Sequence, residues 1–272
     1  MKTNLNLLLL SLLSFGVLIS CKNNNNTVNI ANTSISTASS SPNTVEKPLL
    51  TFSTKEFSSY ADQAIAKYEV SIVEGRSPEA KFVNQIIFKA MGGSDANAKK
   101  ANYNYQEMAN NFVKAAAQLQ SNSKEEIGHC DSENFAAVNY ITNNFVSIRA
   151  SSTEYTGDIQ SKNLEFRYNL NLQSLSILSN NDLISDELGL RKLLTTLLNK
   201  QLKKESSFKD KHKNYFKENG LYRLPEYIWV CTDEVIFEYY SRDLFDATAD
   251  DNLFITVKLT FNEAQPFLNI KL

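Results

Sequence analysis

From Asn163 to Leu172 the chain alternates without a break. Leu164, Phe166, Tyr168, Leu170 and Leu172 are apolar; Asn163, Glu165, Arg167, Asn169 and Asn171 between them are polar. A period of two predicts a half-buried strand with one face on a core. Similar, less strict patterns predict strands over Tyr68–Gly75, Ala136–Ile141, Phe145–Ala150, Glu226–Cys231, Val235–Tyr240 and Leu253–Phe261. Thr142-Asn143-Asn144 separates two of them, and Asn tolerates positive φ, so a hairpin is expected there. Tyr155-Thr156-Gly157-Asp158 is a polar turn with one glycine, leading into the strand 163–172.

A period near 3.6 predicts helices between these strands. Pro78 suits a first helical turn, and Phe82, Val83, Ile86, Ile87, Ala90 and Met91 then share one face before Gly92-Gly93. Residues 104–120 place Met108, Phe112, Ala115 and Leu119 on one stripe. Leu190, Leu193, Leu194, Leu197, Leu198 and Leu202 make the strongest amphipathic segment. Asp186 and Glu187 at its start and Lys203 and Lys204 at its end suit the helix dipole. Residues 121–132 read as a loop, and 207–220 as a short helix ending near Gly220. Strands that cluster, with helices between the clusters, predict an α+β fold: a largely antiparallel sheet with packed amphipathic helices.

The N-terminus changes the picture most. Lys2 precedes an apolar stretch, Leu5–Ile19, of signal-peptide length and too short to span a membrane comfortably. It ends in Leu18-Ile19-Ser20-Cys21, which resembles a bacterial lipobox, whose cysteine becomes the diacylated first residue of the mature protein. More than one acyl chain on Cys21 makes a stable anchor. Residues 22–48 are rich in Asn, Ser and Thr and read as a disordered tether. The expected organisation is signal peptide 1–20, tether 21–48, a strand–helix–helix part 49–132 and an α+β domain 133–272. The expected location is the bacterial cell envelope, on the periplasmic or cell-surface side.

Bulk composition excludes more than it assigns. Hydrophobic residues at 42% suffice for a core, and a net charge of -2 gives no nucleic-acid footprint. Only His129 and His212 are present, with no HExxH, paired CxxC, GxSxG or glycine-rich phosphate loop, so no metal or cofactor is expected. Asp243, Asp246, Asp250 and Asp251 lack EF-hand spacing and read as a solvated connector. With Cys21 lipidated, Cys130 and Cys231 either form one disulfide or remain two thiols. Tyr227, Trp229 and Cys231 share one strand face and read as core.

The order of features from Tyr68 onward resembles the extracytoplasmic domain of RsiV-type lysozyme-sensing anti-sigma factors. That domain also occurs beside peptidoglycan deacetylase domains and alone in lipoproteins. "YEVSIVEG" and "AKFVNQII" are similar to its first strand and helix, and "NYITNNFVSIRASSTEYTGD" to its hairpin and Tyr-Thr-Gly-Gly-Ala-His turn. "EFRYNLNLQSLSILSNNDLI" and "LPEYIWVCTDEVIFEYYSRDLFDA" resemble its later strand and its late hairpin with a Tyr-rich loop. This chain departs from it at Asp158-Ile159, where the family has Gly-Ala-His, and at Ser241-Arg242-Asp243-Leu244, which lacks Pro-Tyr-Glu.

The resemblance implies binding rather than catalysis, toward a lysozyme-like protein or peptidoglycan, with Tyr155, Asp158, Tyr239, Tyr240 and Asp243 as candidate contacts. No cytoplasmic sigma-binding segment is read before Cys21, so an anti-sigma role is not expected. Two alternatives stay open: a structural envelope lipoprotein without a small ligand, and a cell-wall hydrolase or esterase working through carboxylates such as Glu154, Asp158 or Asp243.

Overall fold

The protein is represented by a computed structural model that describes residues 50–122, 128–157, 159–204, 217–240 and 254–272. The expected signal peptide and tether, with Cys21, and also Asp158, His212 and Asp243 lie outside the described residues.

The large sheet begins with a hairpin, β1 (Phe52–Ala61) and β2 (Ala64–Val73), of which the sequence pattern revealed only the second half of β2. β1 escapes notice because it is an edge strand with most positions exposed, so no alternation with a buried face is imposed on it. Next come α1 (Pro78–Ala90), α2 (Asp95–Lys99) and α3 (Tyr105–Asn122). Ser77 caps α1, its Oγ accepting from Ala80 N at 3.1 Å, with Pro78 in the first turn and Lys89 in the last. Gly93 follows because a Cβ there would lie 2.2 Å from the Phe88 ring.

β3 (Cys130–Ile141), β4 (Phe145–Thr156), β5 (Ile159–Asn171) and β6 (Ser176–Leu178) complete the sheet in the order β1-β2-β3-β4-β5-β6. Among the described residues only β2 and β3 run parallel, because the helical segment α1–α3 carries the chain back between them. The expected division at 132/133 therefore falls inside β3, and the strands on both sides of it form one sheet. Thr44–Leu272 is a single compact unit.

The chain turns between β4 and β5 just after Tyr155. Thr156 at the end of β4 pairs with Ile159 at the start of β5, and Gly157 takes φ +71°. Such short hairpin turns need positive φ, which glycine supplies without steric cost.

After β6 come α4 (Asn180–Leu183), α5 (Glu187–Lys204) and a small hairpin, β7 (Lys217–Glu218) with β8 (Leu221–Tyr222). The helix expected over 207–220 is thus a strand pair at its C-terminal end, where Asn219 and Gly220 both adopt positive φ and turn the chain. Residues 205–216 lie outside the described residues. β9 (Tyr227–Val230), β10 (Glu234–Tyr240) and β11 (Phe254–Thr260) form a three-stranded antiparallel sheet, followed by α6 (Phe261–Ala264). The α+β class and the mostly antiparallel pairing agree with the sequence pattern.

Two apolar cores result. One lies between the large sheet and α1 and α3, and includes Ala66, Tyr68, Val70, Val83, Ile87, Tyr105, Ile148 and Leu170. The other packs Leu190, Leu194 and Leu198 of α5 against Ile228, Val230, Val235, Phe237 and Leu259 of the small sheet. Burial of each such leucine contributes about 1.5–3 kcal/mol. The opposite faces of the two sheets, polar on β4 and β5, meet each other.

Candidate functional site

β5 places its apolar residues on the first core and its polar residues toward the small sheet. The sequence alternation located the strand, but its polar face is covered over Arg167 and Asn169 rather than solvated along its whole length. Three groups do this work. Ser147 Oγ accepts from Val230 N at 3.0 Å, Asn169 Nδ2 donates to the Ile228 carbonyl, and Asn180 Nδ2 donates to the Pro225 carbonyl at 3.0 Å. β9 is the edge strand of the small sheet, so Ser147 and Asn169 satisfy backbone groups that no neighbouring strand pairs, while Asn180 holds the segment just before it.

Between these anchors sits a charged cluster. Arg167 donates from Nε to Glu238 Oε2 at 3.0 Å and from Nη1 to Glu165 Oε2 at 2.7 Å. Arg149, directly opposite Arg167 on β4, lies 3.8 Å from Glu165. Both guanidinium groups also stand over Trp229, at 5.9 and 5.5 Å from its ring. Two cations and two carboxylates therefore balance in a largely dehydrated seam. Among the described residues three buried polar atoms here have no partner: Arg149 Nε, Trp229 Nε1 and Asn169 Oδ1.

A cavity of about 400 Å³ opens beside the cluster, lined by Arg167, Asn169, Asn180, Asn181, Glu226 and Tyr227 among others. Tyr227 is held by its hydroxyl, 3.1 Å from that of Tyr240, and by edge-on contacts with the Tyr240 and Phe254 rings. Burial first, then the hydrogen bond to Tyr240, pushes the Tyr227 phenol well above the usual tyrosine range.

The residues singled out from the sequence do not converge on this cavity. Tyr155 is exposed near the end of β4. Tyr239 points into the second core, while Tyr240 joins the Tyr227 aromatic cluster; neighbours on a strand face opposite ways. Burial raises the Tyr239 phenol well above its ordinary range, and its hydroxyl has no partner among the described residues. Asp158 and Asp243 lie outside the described residues. Cys130 and Cys231 are both buried thiols and are not joined: Cys130 lies in the first core at the start of β3, and Cys231 just after β9 of the other sheet. His129 pairs with Asp131 at 2.9 Å at the exposed start of β3. Among the described residues no three His, Cys, Asp or Glu side chains gather as metal ligands, and no helix is long and apolar enough to cross a membrane. Glu154 stands opposite Ser132 on β3 and its charge is felt by the Tyr68 phenol.

The cluster residues Arg149, Glu165, Arg167, Asn169 and Glu238 were not singled out in sequence. One signal was present. Glu238 is a lone charge inside the apolar run "VIFEYY", and Glu165 and Arg167 occupy alternate positions of one strand face. A charge in a buried strand requires a partner.

No protein-family model matches the sequence, and no curated protein matches it. The chain shares its fold with a DUF3298 family protein from Bacteroides fragilis. The two are 16% identical, with a TM-score of 0.50 over 81% of this chain and 94% of that one. A DUF3298 family protein from Pseudomonas aeruginosa is also similar, at 14% identity and a TM-score of 0.47 over 82% of this chain and 95% of that one. At such identity the likeness establishes an α+β architecture seen in a family of unknown function.

Proposed function

We propose that the protein is an envelope-anchored lipoprotein whose folded part is a non-enzymatic binding module for a lysozyme-like protein or a cell-wall ligand. The cavity beside the Arg167 cluster carries this reading. Its lining is amide, carboxylate and phenol, groups that recognise by hydrogen bonding, and a buried framework fixes them. Cavities of roughly 300–1,000 Å³ are the usual size of ligand sites. The lipobox-like Cys21 and the polar run 22–48 support the anchor, and the resemblance to RsiV-type domains supports binding.

The alternative of a hydrolase finds less support. Glu165 and Glu238, next to the cavity lining, are both engaged by Arg167, an arrangement suited to holding structure rather than moving protons, and the lining itself carries a single carboxylate, Glu226, rather than a pair.

The test has two arms. Cells fed an alkyne analogue of palmitate should label the full-length protein and not the Cys21→Ala variant. The detergent-solubilised protein should retain lysozyme or isolated sacculi in a pull-down. Absence of labelling removes the anchor; absence of retention in both cases removes the binding module and leaves a structural lipoprotein.

A further inference from the structure

The edges of a sheet carry unpaired backbone groups, and the edges of the two main sheets differ in how they are protected. β9 is held by Ser147 and Asn169 of the large sheet. β6 is only three residues long. β1 carries Lys55 and Glu56, and its Ser58 carbonyl accepts from Gln106 Nε2 of α3 at 2.8 Å. β11 is the remaining edge, and among the described residues no strand pairs with its outer side.

The register shows which groups of β11 face outward. Cys231 N donates to the Glu234 carbonyl, so Glu234, Ile236 and Glu238 direct their backbone groups to β9, and Val235, Phe237 and Tyr239 direct theirs to β11. The partners of these three on β11 are Leu259, Val257 and Ile255. Thr256 and Lys258, which alternate with them, therefore turn their N–H and C=O groups outward. The Thr260 N–H lies on the same outer side, where Glu263 Oε2 accepts it at 2.9 Å.

Thr256 and Lys258 open into a groove of about 310 Å³ between β11 and α5, whose other lining residues are Leu197, Lys200, Gln201 and Val257. It shares no residue with the cavity beside Arg167. Outward N–H and C=O groups along one wall suit an extended chain, which returns both kinds of bond at the spacing of a strand. The α5 wall selects the side chains of that strand. Leu197 is half-buried and apolar, while Lys200, one helical turn on, is exposed and has no ion pair among the described residues. Lys258 is neutralised by Glu234, so the uncompensated charge of the groove is that of Lys200. Residues i and i+2 of an extended chain share a face, so an apolar and an acidic residue at that spacing meet Leu197 and Lys200 together.

We propose that β11 and α5 form a docking groove for an extended acidic segment of a partner protein, which adds to the small sheet as a further strand beside β11.

The detergent-solubilised full-length protein is immobilised for surface plasmon resonance. The probe is the blocked heptapeptide Thr-Val-Thr-Glu-Thr-Val-Thr, and its control has Lys in place of Glu. Saturable binding of the Glu peptide is expected with a Kd below about 1 mM, and binding of the Lys peptide weaker by about threefold or more. In Lys200→Glu, a change at an exposed position, the preference should reverse with no change in Tm. Hydrogen exchange of residues 254–260 should slow when the Glu peptide is bound, because the outward amides of Thr256 and Lys258 become paired. Absence of saturable binding overturns the proposal, as does equal or tighter binding of the Lys peptide to the unaltered protein. An unaltered preference in Lys200→Glu, or binding that leaves exchange of 254–260 unchanged, overturns it too, since the peptide then sits elsewhere.

Discussion

Arg167 and Glu238 meet across the seam between the two sheets, Nε to Oε2 at 3.0 Å, with side chains only 2% and 9% exposed. The pair does not act alone. Arg149 sits directly opposite Arg167, and two like charges facing each other on neighbouring strands are unfavourable unless compensated. Glu165 bridges both arginines, and Glu238 supplies the second negative charge. Removing one partner strands a buried charge, at a cost of about 3–5 kcal/mol. Arg167→Met and Glu238→Leu should each destabilise by that order, and the double variant by clearly less than the sum. Urea unfolding followed at Trp229 measures all three, and a coupling energy near zero would show that the pair is not a unit.

Trp229 contributes by its bulk and rings rather than by its indole N–H, which has no partner among the described residues. The ring lies under both guanidinium groups. Trp229→Phe keeps an aromatic face and deletes the unpartnered donor, so it should cost less than about 1.5 kcal/mol. Trp229→Ala opens a cavity and should cost about 3–5 kcal/mol. Thermal unfolding by circular dichroism distinguishes these, and equal losses would contradict the assignment.

Asn84 on α1 brackets the end of β2. Its Nδ2 donates to the Val73 carbonyl at 2.8 Å and its Oδ1 accepts from Val73 N at 2.9 Å. Asn84→Ala leaves both backbone groups buried and unpaired, at about 1–3 kcal/mol for each. In Asn84→Asp the introduced carboxyl matches both groups only when protonated, since the ionised form repels the Val73 carbonyl. Burial and that repulsion raise its folded pKa above the unfolded value. The variant should therefore be most stable at acid pH and lose stability as pH rises toward neutrality. A pH series of urea midpoints for both variants tests this, and a flat Asn84→Asp profile would refute it.

Local periodicity made most of the elements legible. β5 and α5 were visible because one face of each meets an apolar core, and the β3–β4 tip because Thr142 and two asparagines mark it. What periodicity cannot say is what covers the other face. Asn163, Glu165, Arg167, Asn169 and Asn171 read as a solvated side, yet Arg167 and Asn169 are anchored to strands some sixty or seventy residues further on. That pairing is set by long-range docking of two sheets, which a short window of sequence does not contain. β1 was missed for the converse reason, since an edge strand with few buried positions carries no pattern. The cavity follows the same logic, because its walls come from β5, α4 and β9, each unremarkable alone.

The tyrosines give the protein an alkaline limit, and Tyr68 shows how it arises. Its phenol lies in the first core; burial, then the charge of Glu154, raises its pKa to about 12, against a smaller lowering by the hydrogen bond with Ser132. In the unfolded chain the same phenol ionises near pH 10. The fold thus favours the neutral form. Its stabilising contribution is complete below about pH 10 and is lost as pH rises through about 12, since over that range the unfolded chain releases the proton first. Burial also raises the phenols of Tyr105, Tyr227 and Tyr239, so several groups act in the same direction. Stability should fall above about pH 10, and the phenolate absorbance of these buried tyrosines should appear together with loss of tertiary structure rather than before it. Glu154→Gln removes the charge that raises the Tyr68 pKa, so it should make this decline shallower. Tyr68→Phe should remove that residue's share altogether, at a cost near neutrality of about 0.5–1.5 kcal/mol for the lost hydrogen bond. Phenolate absorbance and Trp229 emission recorded in one alkaline titration decide it. If these tyrosines ionise fully while the emission stays native, the buried phenols do not set the limit.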